Sequence, residues 1–313
     1  MPIVEKKIEE TPKKKEPPPP LGKPKSELER KRRILKAFVI YFYDTQRQRI
    51  ASGNRSKRYT LNLEKDDASV VSQYADNFAA IEKELEKKIK KFLKEFDIYE
   101  KFLKNIKGVG PIMAAVLISE LDIEDSLAPP GYGIGHTGAY EKEGKIYRQR
   151  TVSQFWKYAG LAPVTIVDDK GVSRDVGSRK VAGQKINYSP FLKTKILGVL
   201  ADCFIKLGSP YRKFYDEHKK LRKDSNWGVC DMQRHRDSIR HMMKCFLMDL
   251  FYAWRKLEDL PARLPYQIEK LGHSWAQVWH MKEHPCITLE RASEKQEQEK
   301  EESKDDPLSK ASI

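Results

Sequence analysis

The residues best suited to chemistry lie around Gly108-Val109-Gly110, between two apolar, helix-like segments. Two glycines allow the chain to reverse tightly, because neither carries the Cβ atom that penalises a positive φ. Pro111 follows at a position where a first helical turn tolerates a missing N–H, and Lys104 and Lys107 flank the turn. The pattern predicts a helix-hairpin-helix whose backbone N–H groups bind a phosphate. An αα-hairpin whose glycines serve only packing is the alternative.

A second group is the basic segment from about residue 170 to residue 195. Its cations are interleaved with Tyr188 and lie near Trp156. Such a mixture suits a phosphate backbone with occasional base contacts, whereas a solvated loop is the plain alternative. The candidate phosphate contacts are Lys170, Arg174, Arg179, Lys180, Lys185, Lys193 and Lys195.

Ser173 or Ser178 is the candidate nucleophile, because the surrounding cations could hold a scissile phosphate and stabilise developing charge. A divalent-metal nuclease would instead need several convergent carboxylates. Asp168, Asp169 and Asp175 fall within one loop, and a turn is the simpler explanation for the first two. The sequence therefore does not predict a nuclease site.

Potential metal ligands are Cys230, His235, His241 and Cys245, which are close in sequence. Their spacing matches no zinc module, and Cys245 beside Phe246 is expected to pack as a small hydrophobe. We therefore predict no metal site and no cofactor, with a divalent ion entering only through a nuclease partner. The histidines then belong to a basic helix face with the neighbouring arginines.

The chain of 313 residues carries 60 Lys and Arg against 45 Asp and Glu, a formal net charge of +15. This excess favours a polyanionic partner, of which nucleic acid is the commonest; DNA is expected and RNA stays open. No stretch approaches the roughly 20 apolar residues of a membrane span. Four scattered cysteines fit a reducing compartment, so a cytoplasmic, nucleoid-associated protein is expected.

The predicted fold class is mainly α: a helical bundle with a long N-terminal helix, the helix-hairpin-helix and small β-hairpin or loop insertions. A basic helix is predicted from Ser26 to Ile50, broken at Ser52-Gly53-Asn54. A longer helix follows from residue 67 to residue 103, with apolar residues at three- and four-residue spacing. That stripe either packs within the chain or forms a coiled coil with a second copy.

Turn signals organise the rest of the chain. Glu143-Gly144 predicts a β-hairpin, Thr151 caps a short helix, and residues 168–171 separate two β-prone pieces. Helices are predicted at 190–207, 210–223 and 231–257, with a helix or loop at 265–281. The expected organisation is a disordered basic tail (1–25), N-terminal helices (26–103), a DNA-binding domain (104–285) and a disordered charged tail (286–313).

Several of these motifs occur together in a known family. NIKGVGPIMAAVLISEL, then FWKYAGLAP, a basic turn and KINYSPFLKTKIL resemble the C-terminal domain of the Piv-like insertion-sequence transposases. The resemblance covers about Asp66 to Leu207, and SPYRKFYDEHKK and HRDSIRHMMKCFLMDLFYAW look like a subgroup of such sequences. It implies a DNA-binding, mobile-element role in transposition or recombination.

The sequence also departs from that family. The family's RuvC-type nuclease domain with its acidic metal ligands has no counterpart before Asp66. Its Ser-Ser-Gly-Gly motif is replaced here by VTIVDDKGVSRDVGS, in which Ser173 is the nearest match to the family's serine. We expect a DNA-binding, transposase-like protein; an active serine-dependent recombinase and an RNA-binding protein are the alternatives.

Overall fold

The computed structural model describes residues 21–61, 63–131, 133–134, 136, 138–167, 171, 173–179, 186–280 and 284. The predicted fold class is confirmed: the described structure is mainly helical, with a small three-stranded antiparallel sheet. Within the described part, no helix is both long enough and apolar enough to cross a membrane. The predicted tail at 286–313, and residues 1–20 of the other tail, lie outside the described residues.

Two long helices, α1 (Glu27–Thr60) and α2 (Lys65–Leu93), form an antiparallel pair at the N-terminal end. Ser26 caps α1 by accepting the Glu29 N–H. The rings of Phe38 on α1 and Phe92 on α2 pack edge to face, with their centres 6.0 Å apart. Arg49 Nε donates a hydrogen bond of 2.5 Å to Glu82 Oε2. These contacts hold the two helices together along much of their length.

Two predicted boundaries in this region are wrong. The first helix does not break at Ser52-Gly53-Asn54 but runs on to Thr60. A glycine inside a helix costs only about 0.5–1 kcal/mol, which packing on α2 can offset. The second helix ends at Leu93 rather than residue 103: the Phe96 N–H donates to the Leu93 carbonyl in a tighter turn, and Phe96 is extended at φ −111° as the N-cap of the next helix. The chain continues as α3 (Asp97–Lys101) and a 3₁₀ turn (Leu103–Asn105).

The core is built around α4 (Pro111–Glu120) and α9 (Asp231–Leu257). Every residue of α4 from Met113 to Ser119 is buried, and α9 buries a continuous apolar face that includes Phe246, Phe251 and Trp254. Leu35 of α1 and Ile89 of α2 belong to the same core. Residues on both sides of the predicted boundary at 103/104 therefore share one hydrophobic core.

Short strands connect the helices. β1 (Ser126–Leu127), β2 (Ala139–Lys142) and β3 (Lys145–Arg148) form an antiparallel sheet in the order β1-β3-β2. Glu143 and Gly144 both have positive φ, 52° and 69°, as a two-residue hairpin turn requires. A separate ribbon pairs β4 (Pro163–Val167) with β5 (Ser173–Gly177). Both predicted β pieces are thus confirmed.

The remaining helices follow the predicted order. Thr151 caps α5 (Val152–Tyr158) in a capping box with Gln154. The predicted helix at 190–207 is α6 (Pro190–Lys195), a π-helical turn (Ile196–Leu200) and α7 (Ala201–Leu207). The helices that follow in chain order are α8 (Arg212–Asp224), α9, α10 (Tyr266–Glu269) and α11 (Trp275–Trp279).

Candidate nucleic-acid interface

The two glycines of the predicted hairpin have different structural roles. Gly108 has φ +104°, and a Cβ atom there would lie 2.8 Å from Cδ1 of Phe204 on α7. Gly110 has an ordinary φ of −79°, and a Cβ atom built on it meets nothing within 4 Å. The fold therefore requires Gly108, whereas Gly110 leaves open space in front of the hairpin.

That open space lies at the N-terminus of α4. Gly110 is the N-cap residue, Pro111 occupies the first turn, and no side chain caps this end. The backbone N–H groups of Ile112 and Met113 have no partner within the helix, because the first turn lacks preceding carbonyls. The α4 N-terminus carries the partial positive charge that attracts an anion. This geometry suits a phosphate group.

The side chains in and beside the hairpin differ in how freely they could contact a phosphate. Lys104 is exposed but pairs with Glu100 at 2.8 Å, and this hydrogen bond raises the pKa of Lys104. Val109 is half-buried and packs against the core. Lys107 is exposed. Lys107 is therefore the flanking cation best placed to contact a phosphate beside Gly110.

The predicted basic segment is only partly described. Lys170, Lys180 and Lys185 lie outside the described residues. Arg174 lies in β5 opposite Ile166, and Ser173 begins that strand, paired with Val167 and exposed. Arg179 follows the strand and is also exposed. Ser173 at the start of β5 and Arg179 just after β5 therefore both lie at the surface.

Lys193 and Lys195 of α6 are engaged with the protein. Lys193 Nζ donates to the Ser178 carbonyl and lies 5.0 Å from the ring centre of Tyr188. Lys195 Nζ lies 3.6 Å from the ring centre of Tyr43 on α1. Burial lowers the pKa of both lysines. Both ammonium groups are therefore directed toward protein partners rather than fully into solvent.

The hairpin and the basic segment lie at opposite ends of α4. Gly108, just before α4, approaches Phe204 of α7. Glu120, the last residue of α4, accepts hydrogen bonds from Tyr158 Oη and Ser189 Oγ, and Ser189 immediately precedes α6. A helix of ten residues is about 15 Å long. A duplex contacting both regions must therefore extend over at least this length.

Arg240 of α9 is a basic residue near the ribbon that the candidate contacts omitted. A Cβ atom at Gly177 would lie 2.7 Å from Arg240 Nη2, so the guanidinium packs against the β5 backbone. Arg240 Nε is buried with no hydrogen-bond partner among the described residues. Arg236, one turn earlier, is exposed. The predicted basic face of α9 is thus partly at the surface and partly covered by β5.

The four residues weighed as a metal set do not converge. Cys230 is exposed at the N-cap of α9, and His235 is hydrogen-bonded to Tyr215 Oη at 2.8 Å. His241 and Cys245 do lie together, with Nε2 and Sγ 3.7 Å apart. Cys245 is buried, as its apolar surroundings predict. His241 instead joins two histidines that sequence reasoning did not connect with it, His218 and His280.

Comparison with known proteins adds no identification to this geometry. No protein-family model, curated protein or solved structure matches the chain.

Proposed function

We propose that this chain is a transposase-like DNA-binding protein of mobile-element origin, acting in DNA transposition or recombination. It contacts the DNA backbone through the hairpin Gly108-Val109-Gly110 and through exposed cations of the basic segment at 170–195. The observation that carries the proposal is the open, uncapped N-terminus of α4 beside Lys107. The net charge of +15 supports it, because such an excess attracts a polyanion.

The hairpin contact is expected to be independent of base sequence. Backbone N–H groups at a helix N-terminus bind phosphate oxygens and carry no information about base edges. Exposed cations such as Lys107 and Arg179 would add phosphate contacts, which make affinity fall steeply with salt. Target selection would therefore require other residues or a partner protein.

The test is binding of the full chain to a labelled duplex across a salt series, compared with Gly110→Glu. The duplex should exceed about 30 base pairs, so that at about 3.4 Å per pair it extends well past both regions. The added carboxylate places negative charge where the phosphate would lie, so we expect Gly110→Glu to bind at least tenfold more weakly. Gly53→Glu is the matched control, because a Cβ atom at Gly53 also meets nothing within 4 Å and the substitution makes the same change in net charge.

Equal affinities for Gly110→Glu and Gly53→Glu would contradict the hairpin contact, because only overall charge would then govern binding. Single-stranded DNA and structured RNA are included as competitors. Duplex DNA is expected to compete best. An RNA that competes at a concentration tenfold lower than duplex DNA would overturn the assignment in favour of RNA binding.

A further inference from the structure

A polar cavity of about 310 Å³ lies between α8, α9 and the C-terminal segment that contains α10 and α11. These elements follow the hairpin and the ribbon in the sequence. The titratable side chains used in the argument below are His218, Asp237, His241, Lys244, Cys245 and His280, which all line the cavity. Three of the imidazoles that line the cavity, one from each of these structural units, therefore lie close together.

The three imidazole rings are close enough to share one ion. The ring centres of His218 and His241 are 4.3 Å apart and stacked, and His280 lies 4.6 Å from His241 and 5.0 Å from His218. One ring nitrogen from each histidine lies within 4.8 Å of the other two. Nitrogens on a tetrahedral zinc, with bonds of about 2.0–2.1 Å, are about 3.4 Å apart. Binding one ion would therefore require side-chain rotations that bring the nitrogens closer and tilt the stacked rings of His218 and His241.

Hydrogen bonds to two of the rings fix which nitrogens carry lone pairs. Ser238 Oγ donates to the Arg234 carbonyl at 2.8 Å, so it accepts the Nδ1–H of His218 at 3.2 Å. This leaves Nε2 of His218 with its lone pair. The Trp279 carbonyl can only accept, and it lies 2.9 Å from Nε2 of His241, which leaves the lone pair on Nδ1. Metal-binding histidines are oriented by outer hydrogen bonds of this kind.

The charges around the cavity are mixed. Asp237 Oδ2 lies 3.8 Å from His218 Nε2 and 2.8 Å from Arg222 Nε, and Lys244 lines the same cavity. Burial, with a smaller contribution from Arg222, lowers the pKa of His218 to about 3. Burial likewise lowers the pKa of His241 to about 3. Burial also lowers the pKa of His280, so in all three residues it favours the neutral imidazole that binds a metal ion.

We propose that His218, His241 and His280 bind one divalent transition-metal ion of the zinc class. Neutral imidazoles suit zinc, cobalt, nickel and copper, whereas magnesium and calcium prefer oxygen ligands. The ion would cross-link α8, α9 and the residue that follows α11. His280 has a left-handed φ of 57°, so the chain turns its side chain toward the cavity immediately after the helix ends.

The test uses the full, untagged chain, stripped of metal with EDTA and titrated with cobalt(II). Cobalt(II) replaces zinc and reports its coordination by visible absorption. We expect one equivalent to bind with an intense, tetrahedral-type spectrum, and zinc to displace it. Since loss of even an outer hydrogen-bond partner weakens metal binding about 10–100-fold, we expect His280→Gln to weaken it by more than about 100-fold.

His273→Gln is the matched control, because His273 lines the same cavity but lies outside the three-histidine group. It should bind cobalt as the wild type does. His280 follows α11 at the end of the segment and outside the buried core, so His280→Gln should keep the native circular dichroism spectrum. Absence of stoichiometric binding, or equal affinities of wild type and His280→Gln, would overturn the proposal. The titration contains no DNA, so its result is independent of the hairpin proposal.

Discussion

Arg255 forms a two-pronged ion pair with Asp125 in the protein interior. Nη1 lies 2.8 Å from Oδ1 and Nη2 lies 2.8 Å from Oδ2, and the side chains are 0% and 2% exposed. Asp125 also accepts the Tyr140 hydroxyl and the Arg150 N–H. One carboxylate therefore joins the segment after α4, the β-hairpin and α9.

Asp125→Asn should destabilise the protein strongly. The amide cannot neutralise Arg255, and a charge left unpaired in the interior typically costs about 3–5 kcal/mol. We expect a loss of this size in the free energy of unfolding, measured by urea denaturation monitored by circular dichroism.

The control for that measurement is Asp97→Asn. Asp97 pairs with Lys101 one helical turn away, and both side chains are more than half exposed, at 61% and 55%. Exposed pairs contribute at most about 1 kcal/mol. A loss below about 1 kcal/mol for Asp125→Asn would show that Arg255 finds another partner in the variant.

The two hairpin glycines should respond differently to alanine. Gly108→Ala places a Cβ atom 2.8 Å from Phe204 at a φ of +104°, so strain and a clash act together. We expect a loss of about 1–3 kcal/mol. Gly110→Ala should change stability by less than about 1 kcal/mol, since its φ is ordinary and its surroundings are open. Thermal unfolding of the two variants tests this, and equal losses would contradict it.

Lys107 and Lys195 should differ in the salt dependence of DNA binding. If Lys107 contacts a phosphate, Lys107→Ala lowers the slope of log affinity against log salt by about 0.9. Lys195→Ala should leave the slope unchanged, because Nζ is 3.6 Å above the Tyr43 ring. It should instead reduce stability by about 0.5–2 kcal/mol, as loss of a cation–π contact does. The reverse pattern would place Lys195 in the interface.

Self-association through α2 would have to use residues that precede its buried C-terminal end. Ile89 and Leu93 are fully buried within the chain, whereas Val70 and Tyr74 are 64% and 69% exposed. We expect the wild type to be larger than one 36.4 kDa chain in light scattering, and Val70→Glu/Tyr74→Glu to return it to that mass, because charges oppose apolar packing. A wild type that is already monomeric would contradict this expectation.

The sequence by itself determined the helical class and much of the local structure. Apolar spacing predicted α9 from Asp231 to Leu257, and Thr151 and Glu143-Gly144 predicted a cap and a hairpin turn, all of which are confirmed. These features depend on neighbours within a few residues. The C-terminal ends of α1 and α2 depend instead on packing against residues distant in the chain. The local pattern therefore predicts these ends incorrectly.

Only the tertiary structure decided what each chemically suited residue does. Gly108 and Gly110 look equivalent in sequence, yet only Gly108 meets Phe204, which is distant in the chain, and only Gly110 is open. His218, His241 and His280 carry no recognisable spacing, because three separate elements bring them together. Sequence patterns record local periodicity, whereas a binding site is defined by which atoms the folded chain places within a few ångströms of one another.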